Sequence, residues 1–269
     1  MLFVYNPRAG RGEIRAHLSE VLEKLTAIGY DMTVYPTGGR MDAMKMVESR
    51  GAEYDLLVCS GGDGTLDETV TGMWRAGLQI PLGYIPTGST NDFASSLGIS
   101  KDVRMAAKSI LTGKLFPCDI GKLNDEVFVY VAAFGVFTEV SYKTSQDWKN
   151  ALGHLAYILE GVKSLSSVKT WRLHIKSEEW SGDGEFLYGM ITNSDSVGGF
   201  KGITGQDVTL NDGLFEVTLI KNPPNIIEWP GIINALLLRE DNDNIITFKT
   251  SKAEFVSEEE LPWTRDGEY

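Results

Sequence analysis

The chain has 269 residues, enough for one large domain or two medium ones with separate cores. Its 42% hydrophobic and 23% charged residues are ordinary for a globular protein and exclude disorder over most of the length. Net charge is −12 and unevenly placed: residues 1–124 come to −1 and residues 125–269 to −11. An acidic second half excludes nucleic acid as a partner and broad adhesion to anionic lipid, so any membrane contact must be local.

Cys59 and Cys118 are the only cysteines. Neither lies in a CxxC pair, so neither a disulfide framework nor a zinc site is expected, and a reducing cytoplasm fits. The opening Met1-Leu2-Phe3-Val4-Tyr5-Asn6 lacks the basic and apolar regions of a signal peptide. The apolar stretch 226–238 is too short to span a membrane, and Glu228 and Pro230 interrupt it.

In chain order, the first half alternates strand and helix. A short apolar strand covers 1–6. A helix follows over 13–29, with Ile14, Leu18, Val21, Leu22, Leu25 and Ile28 on one face and Gly29 as its stop. Strands at 31–35, 55–59 and 82–85 alternate with helices at 41–50, 66–77 and 103–111. This pattern predicts a parallel sheet with helices on both faces. The second half reads as strands at 126–131, 169–175, 185–192, 215–221, 245–249 and 252–256, with helices near 152–165 and 226–238. Consecutive strands joined by turns predict a mainly antiparallel β-sandwich. The boundary is placed at 123–125, giving domains 1–124 and 125–269.

Open α/β sheets bind ligands at the carboxyl ends of their strands. Three loops leave such ends, and each is rich in glycine or small polar residues: Asn6-Pro7-Arg8-Ala9-Gly10-Arg11-Gly12, Gly61-Gly62-Asp63-Gly64-Thr65 and Pro86-Thr87-Gly88-Ser89-Thr90-Asn91-Asp92. Glycine lets backbone approach a phosphate, and a following helix N-terminus favours an anion. Asp63 among glycines suits a hydrated metal that bridges phosphates. One such loop could equally be a tight strand-to-helix turn capped by its aspartate; three on one sheet edge favour phosphate binding.

The order Asn-Pro-x-x-Gly-x-Gly, Gly-Gly-Asp-Gly-Thr and Pro-x-Gly-x-x-Asn-Asp-Phe-Ala resembles the bacterial soluble diacylglycerol kinase family. Asp119-Ile120-Gly121, Asn211-Asp212-Gly213-Leu214 and Asp266-Gly267-Glu268 extend the resemblance over essentially the whole chain. That family is similar in fold to sphingosine and ceramide kinases, and more distantly to NAD kinases and phosphofructokinases. The resemblance implies an ATP- and Mg2+-dependent lipid kinase acting on diacylglycerol or a similar lipid alcohol to give its phosphate. It implies that Asn6, Pro7, Arg8, Ala9 and Gly10, with Gly62, Asp63, Gly64 and Thr65, hold the nucleotide phosphates. Thr37 and Ser89 add contacts, and Glu68 sits near the nucleotide. Asp63, Asp92 and Asp119 surround a catalytic magnesium through waters. Asp266 is the general base. Asp212, with carbonyls near Thr209 and Leu214, forms a second, structural magnesium site, although Asn-Asp-Gly alone is an ordinary hairpin signal.

The resemblance also implies a cytoplasmic protein in peripheral contact with the inner membrane face and a possible homodimer. Trp148 beside Lys143 and Lys149 is a candidate lipid-facing patch, or else Trp148 is a core residue. Asp67 stands where the family usually has Asn, and Ser95 where a basic residue often follows Asn-Asp-Phe-Ala. Family chains continue past Asp-Gly-Glu with strands that finish the sandwich, so a further C-terminal segment is expected. Two other functions stay open on the residues: an NAD kinase-like phosphotransferase, and a nucleotide- or lipid-binding protein without turnover. The Asn91-Asp92-Phe93-Ala94 loop and the terminal Asp-Gly-Glu favour the lipid branch.

Overall fold

A computed structural model describes residues 1–27, 29–136, 138, 169–198, 204, 207–238 and 240–266. The expected helix at 152–165 and the Lys143–Trp148–Lys149 patch lie outside the described residues, as do Gly267 and Glu268. The chain divides into two compact units, Met1–Val129 and Tyr130–Tyr269.

The first unit is the expected α/β layer. Strands β1 (Leu2–Tyr5), β2 (Thr33–Pro36), β3 (Leu57–Gly61) and β4 (Leu82–Pro86) form a parallel sheet in the order β2-β1-β3-β4. Side chains alternate across a strand, so each face builds its own core. Phe3, Val58 and Ile85 point to one face, where they meet Ile14, Val21 and Leu25 of α1 (Glu13–Thr26) and Val103, Ala106 and Ala107 of α5 (Val103–Thr112). Leu2, Val4 and Leu57 point to the other, against Ala43, Met46 and Val47 of α2 (Asp42–Arg50) and Met73 of α3 (Asp63–Arg75). A short α4 (Asp92–Ser96) follows β4, and β5 (Gly121–Leu123) pairs with β6 (Glu126–Phe128) as a hairpin.

The second unit is an antiparallel seven-stranded sheet that branches at its longest strand. The main path is β11 (Ile245–Thr250), β10 (Phe215–Lys221), β9 (Ser181–Thr192), β7 (Val131–Gly135) and β13 (Trp263–Arg265). The first half of β9 pairs instead with β8 (Trp171–Ser177), which pairs with β12 (Ala253–Ser257). The two arms share one core: Phe134 of β7 packs its ring edgewise on Trp171, Phe255 and Trp263, with centroids 4.9 to 6.2 Å apart. The last helix, α6 (Trp229–Leu238), follows a 3-10 turn at Ile226–Glu228. No helix among the described residues is long and apolar enough to cross a membrane.

Two elements differ from expectation. The single strand at 126–131 is two strands, β6 and β7, in different sheets, because the chain passes from one unit to the other between Val129 and Tyr130. An unbroken apolar run carries no local mark of such a switch. Helix α3 begins at Asp63 rather than Leu66, so Asp63-Gly64-Thr65 form its first turn.

Candidate active site

The three glycine-rich loops meet within the first unit. Asn6 continues β1, and its backbone N–H donates to the Ser60 carbonyl at 2.8 Å while its side-chain amide donates to Thr65 Oγ1 at 3.3 Å. Gly10 has a left-handed φ of 55°, and any Cβ there would run into the Thr87 carbonyl. Gly62 and Gly88 approach backbone to backbone, so a side chain on Gly88 would collide with Gly62. Thr87 N–H donates to the Gly61 carbonyl at 2.8 Å, and the buried Tyr84 hydroxyl donates to the same carbonyl at 3.3 Å. Burial, with Asp63 nearby, pushes the Tyr84 phenol well above its ordinary pKa and keeps it a donor. These glycines therefore permit close packing of three turns at the carboxyl edge of β1, β3 and β4.

Asp63 and Asp92 stand together. Each is the first residue of a helix, α3 and α4. The Asp63 carboxylate accepts the N–H groups of Asp92 at 3.3 Å and Phe93 at 3.4 Å. Asp92 is 2% exposed. Asn91, at a left-handed φ of 54°, closes the preceding loop: its Oδ1 accepts Gly88 N–H at 2.9 Å and its Nδ2 donates to the Gly88 carbonyl at 2.8 Å. Asp119 is half-buried, two residues before β5. Among the described residues, no three or more His, Cys, Asp or Glu side chains gather as a direct metal cage.

The remaining expected nucleotide residues lie on the same edge or beside it. Pro7 is half-buried, Arg8 is exposed with its N–H on Asn6 Oδ1 at 2.9 Å, Ala9 is buried and Ser89 is exposed. Thr37 follows β2, and its N–H donates to the Tyr5 carbonyl at 2.9 Å. Glu68 lies one turn into α3, where its carboxylate accepts Met41 N–H at 2.7 Å and Ala43 N–H at 3.1 Å. Asp67 accepts the Thr71 hydroxyl at 3.5 Å, and the Ser95 hydroxyl donates to the Asn91 carbonyl at 3.1 Å.

In the second unit, Asp266 follows β13 with a left-handed φ of 49° and is 5% exposed. Its Oδ1 accepts Tyr130 N–H at 2.9 Å and Val131 N–H at 3.0 Å, and its own N–H donates to the Val131 carbonyl at 2.8 Å. Asp212 is exposed in the turn before β10, beside Gly213 at φ 76°, and its Oδ1 accepts Leu214 N–H at 3.0 Å. Thr209 is exposed and Leu214 half-buried in the same turn.

Asn91 was named in a motif but given no role by sequence, and Tyr84 and Asp42 were not singled out. Asn91 carried a signal, an Asn directly before a helix-opening Asp. Asp42 carried one too, an acidic residue at a helix start after two glycines. Tyr84 carried none, because a tyrosine in an apolar strand reads as core. Burial pushes the Cys59 thiol, beneath the second loop, up to about 12, so it stays protonated and inert near neutral pH.

A parallel α/β unit with three glycine-rich turns on one sheet edge, followed by an antiparallel unit, defines a two-unit protein whose first unit is built like a phosphate-binding α/β domain. Residues 1–123 match the family model of the diacylglycerol kinase catalytic domain. The chain is 34% identical to the diacylglycerol kinase of Bacillus subtilis (strain 168), over 99% of this chain and 88% of that one. It is 33% identical to the diacylglycerol kinase of Staphylococcus carnosus (strain TM300), over 99% and 87%. The crystal structure of a candidate diacylglycerol kinase from Bacillus anthracis str. Sterne superposes with a TM-score of 0.81 at 26% identity, covering 100% of this chain and 90% of that one. The chain belongs to the diacylglycerol kinase family and is a lipid kinase.

Proposed function

We propose that the protein transfers the γ-phosphoryl group of ATP to the hydroxyl of diacylglycerol or a similar lipid alcohol, giving phosphatidic acid or the corresponding lipid phosphate. The observation that carries this reading is the convergence of the three glycine-rich turns around Asp63 and Asp92. Phosphoryl transfer needs positioning and charge stabilisation more than covalent chemistry from the protein. The Asn6–Gly10 turn and Gly62, Asp63, Gly64 and Thr65 hold the phosphates, where glycine lets the backbone come close and the start of α3 favours an anion, with Thr37 and Ser89 on the rest of the nucleotide.

The carboxylates suit a hard divalent cation, which prefers oxygen donors and keeps several waters. Asp63 and Asp92, brought together at the starts of two helices, fit such an ion held in part through water. Asp63, Asp92 and Asp119 would hold magnesium, which when bound neutralises charge on the phosphoryl oxygens. Asp266 accepts the proton of the lipid hydroxyl. Its carboxylate is oriented by the backbone N–H groups of Tyr130 and Val131, and a general base needs such a fixed position within reach of the proton it takes. Asp212, with backbone carbonyls at Thr209 and Leu214, would hold a second magnesium with a structural role. The lipid is met at the inner membrane face through a local contact, and the working form is cytoplasmic.

Incubation of the protein with radiolabelled ATP and vesicles carrying single lipid alcohols tests the reading. Label should pass to diacylglycerol or a related lipid, and only with magnesium present. Label on NAD instead of any lipid, or ATP binding without labelled product, would replace it with one of the alternatives.

A further inference from the structure

Helix α2 starts without a cap of its own. Met41, at its N-cap, has a left-handed φ of 63° and makes no side-chain capping bond. The orphan N–H groups that open a helix normally go to a local Ser, Thr, Asp or Asn. Here those of Met41 and Ala43 go to both oxygens of Glu68, 27 and 25 residues further along the chain, on α3. The preceding loop is tied down at its other end by Asp42. That carboxylate accepts Gly38 N–H at 2.6 Å and the Tyr35 hydroxyl at 2.9 Å. The loop so clamped is Thr37-Gly38-Gly39-Arg40.

A local cap would stabilise α2 equally well but would leave the loop free of α3. The long-range cap fixes the loop to the helix whose first turn is Asp63-Gly64-Thr65. Glu68 lies five residues after Asp63, about 7.5 Å along the axis at the α-helical rise. The first turn and a half of α3 thus carries the residues proposed to hold the phosphates at one end and the anchor of the Thr37 loop at the other.

We infer that Glu68 is a positioning residue for the phosphoryl donor: it holds the Thr37–Arg40 loop at a fixed distance from the phosphate turns, so that the loop grips the nucleoside half of ATP. The inference rests on the proposed reading of Thr37 as a nucleotide contact. It assigns Glu68 no contact with the nucleotide itself.

The test compares ATP with inorganic tripolyphosphate, which offers the phosphates without the nucleoside. Glu68→Gln keeps the shape but leaves one acceptor where two are needed. It should raise KM for ATP roughly three- to tenfold, the range of one charge-assisted hydrogen bond working indirectly, with kcat within about twofold. Inhibition by magnesium tripolyphosphate should be unchanged. Glu68→Asp, which retains both acceptors, should fall between. Thr37→Ala, measured in parallel, should show the same ATP-selective loss. Equal weakening of ATP and tripolyphosphate by Glu68→Gln, or none, would overturn the inference while leaving Thr37 in place. An unchanged KM in Thr37→Ala would remove the reading beneath it, and an ATP-selective loss in Glu68→Gln alone would make Glu68 a direct contact. Should Glu68→Gln fail to fold, Asp42→Asn loosens the same loop from its other end and must give the same ATP-selective split, or the inference fails.

Discussion

Asp63 in the first unit and Asp266 in the second are both held by backbone N–H groups, but by different parts of the backbone. Asp63 opens one helix and accepts the first amides of another. Asp266 sits after a strand and accepts two amides at the start of β7. Asp63 is half-buried where glycine turns converge, whereas Asp266 is nearly fully buried. A helix terminus adds its own positive end to the site and suits an anionic ligand. A strand edge adds no such dipole and serves mainly to aim one carboxylate. The two units thus fix acidic groups by the same kind of donor, and on the proposed roles one collects charge while the other directs a single oxygen.

The sharpest way to break that contrast is to remove each carboxylate in turn. Asp63→Ala should lower turnover at least roughly a thousandfold, since it takes away charge stabilisation at the phosphates, while circular dichroism stays native. Asp266→Asn is a cleaner change, because the amide oxygen can still accept Tyr130 and Val131 N–H. It should bind ATP with near-normal affinity and lose about a hundredfold or more in turnover, the usual size of a general-base contribution. A folded Asp63→Ala that keeps most activity, or a fully active Asp266→Asn, would dissolve the division of labour.

The first unit was more legible in the sequence than the second, for a physical reason. Its strands and helices alternate locally, and glycine, proline and apolar spacing mark each boundary to within a few residues. The strand start at Ser181 was missed because Ser-Gly-Asp-Gly has poor β propensity; pairing with β8 imposes it. The short β13 was missed for a different reason: three residues show no period. Within the site, the glycine motifs pointed to Asp63 and Asp92 but not to the backbone N–H groups of Asp92 and Phe93 that the Asp63 carboxylate accepts. The role of Glu68 as anchor of another helix could not be read at all, because it joins residues 25 and 27 positions apart.

A smaller effect sharpens the comparison in the second unit. If Asp212 holds magnesium as proposed, millimolar magnesium should raise the melting temperature of the protein and Asp212→Ala should abolish the rise. An ion at a hundred times its dissociation constant adds about 2.7 kcal/mol, which is several degrees for a chain of this size. Identical melting of both proteins with and without magnesium would leave Asp212 as the turn residue whose Oδ1 accepts Leu214 N–H.

The smallest effect lies back in the first unit, at the start of α5, and it separates capping from catalysis. Asp102 is the N-cap of α5, and its Oδ1 accepts Arg104 N–H at 2.9 Å and Met105 N–H at 3.0 Å. The Met105 N–H, then the Arg104 side chain, hold its carboxyl below the usual aspartate pKa. A lowered folded-state value means the folded chain binds the proton less readily than the unfolded one. The stabilisation is therefore fully present above the unfolded value, about 3.9, and is lost as pH falls through the folded value. Asp102→Ala should lower the melting temperature by a small, constant amount above about pH 5, with a difference that shrinks as pH falls below about 3.9. Turnover at saturating substrate should not change, because this exposed carboxylate is bonded to Arg104 and Met105 at the start of α5 and to none of the glycine turns. A melting difference independent of pH would mean that the side chain acts through packing rather than through its charge-assisted cap.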